Sequence, residues 1–194
     1  MKLSETDVKT KFITPAIRKA GWDIYSQMRE EVTFTAGRII VRGKMTTRGE
    51  TKRADYILYY KPNIPLAIVE AKDTTHSIGS GMQQALGYAE MLDIPFVFSS
   101  NGKGFVLHDR TGTYSNTETE LSMDAFPSPA ELWAKFQAHK GLTDEEAKVV
   151  AQPYFDDATG KAPRYYQTVA INRAIEAIAK GQDRVLLVMA TGTG

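Results

Sequence analysis

The sequence contains no cysteine. That removes disulfides, thiolate zinc sites and cysteine nucleophiles together, and agrees with a reducing compartment. Histidine is scarce, and His76, His108 and His139 fit no metal-ligand spacing of the H-E-x-x-H kind, so zinc chemistry has no support. An excess of one charge is also missing. The 24 Lys and Arg against 23 Asp and Glu leave a net charge of +1. No global field attracts nucleic acid, so a DNA-directed role would need a local basic patch or partner proteins. No apolar run reaches the length of a signal-peptide core or a membrane span, and the start MKLSETDVKTKF is polar. The expected setting is therefore cytoplasmic. Ser99-Ser100 lacks the turn context of a serine nucleophile and reads as structural.

What is present is ordinary globular material: 194 residues, 42% hydrophobic and 24% charged, enough for one good-sized domain or a domain plus part of another. Residues 4–20 read as a helix. Ser4 and Thr6 are available as caps, Phe12, Ile13, Ala16 and Ile17 form an apolar stripe, and Pro15 is a point of kinking or breakage. EVTFTAGRIIVRGK reads as a hairpin turning at Ala36-Gly37. Strands are expected at 55–60 and 66–72, then a helix over MQQALGYAEML, then strands in IPFVFSSNG and GFVLHDRTG. This alternation predicts an α/β fold with a mixed central β-sheet flanked by helices. From residue 113 the chain turns polar before a closing helix in ELWAKFQAHKG. A short helix in TDEEAKVV leads into a linker, Tyr165 to Lys180 is amphipathic, and RVLLVMA reads as a buried strand. The expected organisation is one domain over 1–140, a linker over 141–163 and the start of a second domain over 164–194.

The most informative stretch is RADYILYYKPNIPLAIVEAKD. Strand residues two apart share a face, so Leu66, Ile68, Glu70 and Lys72 are expected on one side and Ala67, Val69 and Ala71 on the other. A hydrophobic face ending in Glu and Lys is costly unless those charges have partners. Asp55 opens the preceding strand, and a short turn at Lys61 to Pro65 pairs the strands antiparallel. That pairing brings Asp55 towards Glu70 and Lys72. Two carboxylates suit a hard cation such as Mg²⁺ or Mn²⁺, which takes one or two carboxylates with waters and a phosphate oxygen. An ammonium beside them orients or helps deprotonate the attacking water and offsets the charge that develops. Gln84 and Tyr88, spaced i,i+4 on the next helix, put an amide and a phenol on one face within reach of that site. Glu5, or alternatively Glu30 or Glu31, offers a further carboxylate, although acidic residues also favour helix starts for their own sake. Arg48, Lys52 and Arg53 form a basic cluster for phosphate contact, or else a solvated loop.

The D-x14-E-x-K pattern of Asp55, Glu70 and Lys72 resembles the PD-(D/E)xK nucleases, with Ala54 where their proline stands. Gln84 and Tyr88 resemble the accessory Q-x3-Y motif of the RecB-like branch. At the other end, RVLLVMATGTG resembles the opening of a Walker A motif, through Thr191, Gly192, Thr193 and Gly194. Gln167 in RYYQ resembles the adenine-reading segment of superfamily 2 helicases. Together with FITPAIRKAGWD, TFTAGRII and KRADYIL, the order resembles the restriction (motor) subunit of type I restriction-modification enzymes. The resemblance implies a Mg²⁺-dependent endonuclease domain, ATP-driven translocation along duplex DNA by the intact subunit, and assembly with methyltransferase and specificity subunits. Those partners would bring S-adenosylmethionine and target recognition. It also implies that this stretch cleaves poorly alone and hydrolyses no ATP. Two rival readings are a silent nuclease-fold module that binds DNA or partner subunits, and a nuclease–helicase of another kind, such as a type III restriction subunit or a repair enzyme.

Overall fold

The computed structural model describes residues 2–35, 39–42, 45–48, 51–153 and 163–189, with backbone alone at 35, 39–42 and 45–48. The elements run in the order α1 (Glu5–Val8), a π-helical turn (Lys9–Ile13), α2 (Thr14–Lys19), β1 (Met28–Thr35), β2 (Ile39–Arg42), β3 (Met45–Arg48), β4 (Thr51–Lys61) and β5 (Ile64–Ala71). Then follow α3 (Met82–Leu92), β6 (Phe96–Ser100), β7 (Phe105–Asp109), β8 (Glu118–Leu121), α4 (Pro129–Lys140), α5 (Asp144–Val150) and α6 (Tyr165–Ala179). The fold is α/β, with a six-stranded mixed sheet of order β1-β4-β5-β6-β7-β8 flanked by helices. Only the β5–β6 pair is parallel among these six strands, and α3 makes the crossover that a parallel pair requires. Among the described residues no helix is long and apolar enough to cross a membrane.

Composition explains the centre of the sheet. β5 is an almost unbroken apolar run and is buried from Leu66 to Ala71, as befits a strand covered on both faces. Tyr56, Leu58, Val69, Phe96 and Phe98 point to a core that Ile13, Ile17, Trp22, Phe126 and Trp133 complete. Ile57, Ile68 and Val97 point the other way, against Met82, Ala85 and Ala89 of α3, with Tyr165 of α6 packed at the margin. Helix starts follow their caps: Ser4 and Asp7 form a reciprocal box on α1, and Thr143 and Glu146 form one on α5.

Several expectations change. The first helix runs on past Pro15, with a π turn just before it in place of a break: the Thr14 amide donates to the Lys9 carbonyl, five residues back. That extra residue rotates the stripe, so Val8, Ile13, Ala16 and Ile17 are buried while Phe12 is 37% exposed. The hairpin at Ala36-Gly37 is not formed as read. β1 pairs with β4 instead (Val32↔Ala54), and β2 pairs with β3 in a separate two-stranded sheet; residues 36–38 themselves lie outside the described residues. A local turn signal loses here to the burial that β4 offers along a whole strand. Leu66 joins Ala67 and Val69 on their face rather than Ile68, because the pairing jumps from Leu58↔Ala67 to Tyr59↔Pro65 and makes Leu66 the extra residue of a bulge.

β8, inside the polar segment after residue 113, is an edge strand whose polar composition hides it. RVLLVMA forms no strand over 184–189, and Leu186 and Val188 are 87% and 82% exposed. An apolar run becomes a strand only with a ladder partner, and none of the described strands pairs with it. The segment read as a linker holds α5 in its first part, while 154–162 lie outside the described residues. α6 is tied to the sheet's connections by Asn172 Nδ2 donating to the Asn63 carbonyl (2.9 Å) and by an Arg173–Asp93 ion pair (3.2 Å).

Candidate active site

The β4–β5 ladder ends at Tyr56↔Val69, although β4 continues beside β1 as far as Thr51↔Thr35. Where the two strands part, a side chain replaces the missing backbone bond: the Ala71 amide donates to Asp55 Oδ2 at 2.8 Å. The same register sets Asp55 across from Glu70. Both carboxylates are almost fully buried, 5% and 2% exposed. This is the end of the strand pair at which sequence alternation put charges, and the parting of the strands makes room for them.

Lys72 closes the group. Its Nζ donates to Glu70 Oε1 (3.0 Å) and to Gln84 Oε1 (3.3 Å), and Gln84 Nε2 donates to the Tyr88 hydroxyl (3.0 Å). Gln84 and Tyr88 therefore present one polar edge of α3 to the site, as their i,i+4 spacing allows. Glu70 Oε2 is buried with no hydrogen-bond partner. Burial and the neighbouring Asp55 charge push the Glu70 carboxyl up to about 7, against the lowering influence of Lys72. Burial alone would lower Lys72, yet its bond to Glu70 and the charges of Glu70, Glu5 and Asp55 raise it, so it is held as an ammonium.

Glu5 is half-buried at the start of α1. Burial and Asp55 raise its carboxyl, Lys72 and Lys9 lower it, and Glu31 raises it again, which places it in the field of the same group. Glu30 is drawn elsewhere, to the Thr14 hydroxyl (3.4 Å). Glu31 pairs with Arg53 (2.8 Å) and with Lys9. Among the basic residues, Arg53 is thus engaged by Glu31, Lys52 lies 5.7 Å over the Tyr88 ring, and Arg48 ends β3 with its side chain outside the described residues. At the far end, Gln167 sits in the first turn of α6, where its Oε1 accepts from the Arg164 amide (2.8 Å). Thr191, Gly192, Thr193 and Gly194 lie outside the described residues.

Two neighbours of the site were missed by sequence reasoning. Lys9 is 9% exposed, with Nζ 3.4 Å from Asp55 Oδ1, and its signal was a lysine four residues before Ile13 on a stripe otherwise apolar. Gly81 caps α3 so close to Glu70 that a Cβ there would stand 2.8 Å from Glu70 Cγ. The SIGSG segment marked a tight approach without saying to what. Among the described residues no three Asp, Glu or His side chains form a ready metal cage. The pair present, with an orphaned carboxylate oxygen, matches the smaller complement that Mg²⁺ takes beside waters and phosphate.

A family model described as the type I restriction enzyme R protein N terminus matches residues 2–116. The chain belongs to that family. Residues 160–194 match a second model, described as type III restriction enzyme, res subunit. The type I restriction enzyme EcoAI endonuclease subunit of Escherichia coli is 54% identical over 193 residues, covering 99% of this chain and 24% of the relative. The EcoKI endonuclease subunit of Escherichia coli strain K12 is 25% identical over 249 residues, covering 99% of this chain and 20% of that one. The fragment structure of a putative HsdR subunit of a type I restriction enzyme from Vibrio vulnificus YJ016 superposes with a TM-score of 0.84 at 40% identity, covering 100% of this chain and 36% of that one. This member of the R protein N-terminal family thus spans a quarter or less of the curated relatives it matches.

The raised Glu70 carboxyl has a consequence for stability. Its folded value, about 7, lies above the ordinary 4.5, so the folded state binds more protons between those values. Stability is greatest below pH 4.5 as far as this group is concerned, and falls as pH rises through 7. The fall amounts to roughly 3 kcal/mol without metal. Chemical denaturation at pH 5 and pH 8 should show it, and Glu70→Gln should lose most of this pH dependence. An equal slope in both proteins would show that Glu70 is not the group responsible.

Proposed function

We propose that residues 1–140 are a Mg²⁺-dependent DNA endonuclease domain of the PD-(D/E)xK kind, acting as part of a type I restriction enzyme R subunit. The observation that carries this reading is the buried pair Asp55–Glu70, with Glu70 Oε2 lacking a hydrogen-bond partner. Such an arrangement is expensive in a protein core and is relieved by a cation. Asp55 Oδ1 and the Glu70 carboxylate would hold the ion, with Glu5 as a further candidate ligand. When bound, the metal supplies Lewis-acid polarisation of a phosphate oxygen and a water of lowered pKa.

The remaining work falls to side chains. Asp55 Oδ2 is held by the Ala71 amide, which leaves Oδ1, approached by Lys9 at 3.4 Å, as the oxygen that would meet the ion. Lys72, an ammonium at neutral pH, offsets the charge that builds on the phosphorus oxygens and orients the attacking water. Gln84 gives Lys72 a second acceptor besides Glu70, and Tyr88 holds Gln84. Lys52 and Arg53 are candidates for contact with a duplex DNA backbone, and the sequence adds Arg48 to them.

In the intact subunit residues 164–194 would begin the motor domain, with Gln167 reading adenine and Thr191 to Gly194 opening the ATP phosphate loop. Methyltransferase and specificity subunits, carrying S-adenosylmethionine, would supply the target. The family match over 2–116 supports the restriction context. The test is calorimetric titration of the 194-residue chain with Mn²⁺. Binding to the wild type and its loss in Glu70→Gln is the expected result. A chain that binds DNA without binding Mn²⁺ would instead be a silent nuclease-fold module.

A further inference from the structure

Lys9 belongs to the N-terminal helical segment whose Val8 and Ile13 pack on the face of the sheet opposite α3, and it reaches Asp55. It is nearly buried, its Nζ 5.2 Å from the Tyr56 ring centroid, 3.4 Å from Asp55 Oδ1 and in contact with Glu31. Two departures from regular backbone converge on it. Lys9 begins the π turn, and Glu31 adopts a left-handed conformation (φ 53°) in the middle of β1, where a side chain other than glycine's is strained. The register puts Glu31 opposite Asp55, between the pairs Glu30↔Tyr56 and Val32↔Ala54. The strained residue is thus the one that gives Lys9 its second carboxylate.

The division of oxygens makes the role specific. Asp55 Oδ2 already accepts from the Ala71 amide, so Oδ1 is the oxygen open to a cation. Lys9 approaches that oxygen at the outer limit of a hydrogen bond while holding Glu31 more closely. Glu31 in turn is anchored from its other oxygen by Arg53. An ammonium whose only purpose was to neutralise Asp55 would not need a second, strained acceptor beside it.

We propose that Lys9 is a positioning residue of the Asp55–Glu70 site: a built-in cation that holds Asp55 until a divalent metal takes Oδ1 and the ammonium falls back on Glu31. The inference rests on the metal-site reading above. It says that Lys9 lowers affinity for metal while steadying the metal-free carboxylates, because a like charge within a few ångströms opposes a divalent ion.

The experiment is Mn²⁺ titration of the 194-residue chain by calorimetry, with melting temperature measured with and without metal. Lys9→Met, which keeps the stem over Tyr56, is expected to bind Mn²⁺ at least about tenfold tighter than wild type. Without metal it should melt lower, and Mn²⁺ should restore it more than it raises the wild type. Lys9→Arg should stay near wild-type affinity. Glu31→Gln, at a side chain 42% exposed and so compatible with folding, should bind Mn²⁺ about threefold or more weaker. That weakening should largely vanish in the Lys9→Met background, as coupled residues require. Unchanged affinity in Lys9→Met, or a Glu31→Gln effect that persists without Lys9, would overturn the inference and leave the metal site standing. If Lys9→Met does not fold, unchanged affinity in Glu31→Gln overturns it. Absence of Mn²⁺ binding in wild type and variant alike would remove the metal site, and this inference with it.

Discussion

Asp55→Asn, Glu70→Gln and Lys72→Met, each placed in the full-length subunit within its assembled enzyme, are expected to lower DNA cleavage by on the order of 10³-fold while ATP hydrolysis continues. The three substitutions nearly conserve shape and so separate chemistry from folding. Glu70→Gln is the most telling. The carboxylate is 2% exposed and its Oε2 has no partner, so removing the charge relieves a cost of folding. The variant should be at least as stable as wild type at pH 8, yet fail to cut. Asn at position 55 can still accept from the Ala71 amide through its own oxygen, which keeps the strand ends in place while taking away the anionic ligand. Met at position 72 keeps the stem and removes the charge that meets Glu70 and Gln84. Cleavage by any of the three within about threefold of wild type would mean that the group is not part of the chemistry; loss of ATPase with loss of cleavage would point to misassembly.

The centre of the fold was legible because its signals are short-range and repeated. LAIVEA declares a strand covered on both faces, MQQALGYAEML declares a helix, and a short turn between β4 and β5 leaves little choice but antiparallel pairing. Alternation then set Glu70 on the α3 side and the register set Asp55 across from it. The sequence could not say where the ladder stops. That the strands part after Tyr56↔Val69, and that Asp55 rather than a carbonyl takes the Ala71 amide, depends on β4 following β1 away from β5. The β1 pairing was itself hidden by an attractive local turn at Ala36-Gly37. Lys9 and Glu31 meet across 22 residues through a π turn and a left-handed strand residue, neither of which a regular period reveals. RVLLVMA shows the opposite failure, since its composition is that of a strand but pairing is a property of neighbours, not of composition.

Gly81→Ala should damage the site more than the fold. Gly81 has ordinary right-handed backbone angles (φ −86°, ψ −8°), so alanine meets no conformational obstacle there. The obstacle is contact: the new Cβ would stand 2.8 Å from Glu70 Cγ, 3.1 Å from Glu70 Cβ and 3.0 Å from Ser99 Oγ. Ser99 cannot yield easily, because its hydroxyl donates to the Ile78 carbonyl (2.6 Å) and accepts from the Gly81 amide (3.0 Å). Glu70 Cβ belongs to a buried central strand. What can move is the Glu70 carboxylate, by a change of rotamer that carries it away from Asp55 and Lys72. Overpacking of this size costs about 1–3 kcal/mol in stability. A misplacement near 1 Å at the reacting groups costs on the order of 10²-fold in rate. Cleavage should therefore fall about 10²-fold or more, with weaker Mn²⁺ binding, in a protein that still melts cooperatively. Gly79→Ala provides the control, since its Cβ would meet Val106 Cγ2 at an ordinary 3.7 Å and leave Glu70 alone. If Gly81→Ala cuts DNA as well as Gly79→Ala does, Glu70 has slack that this packing denies it, and the orientation of its carboxylate is set by something other than the start of α3.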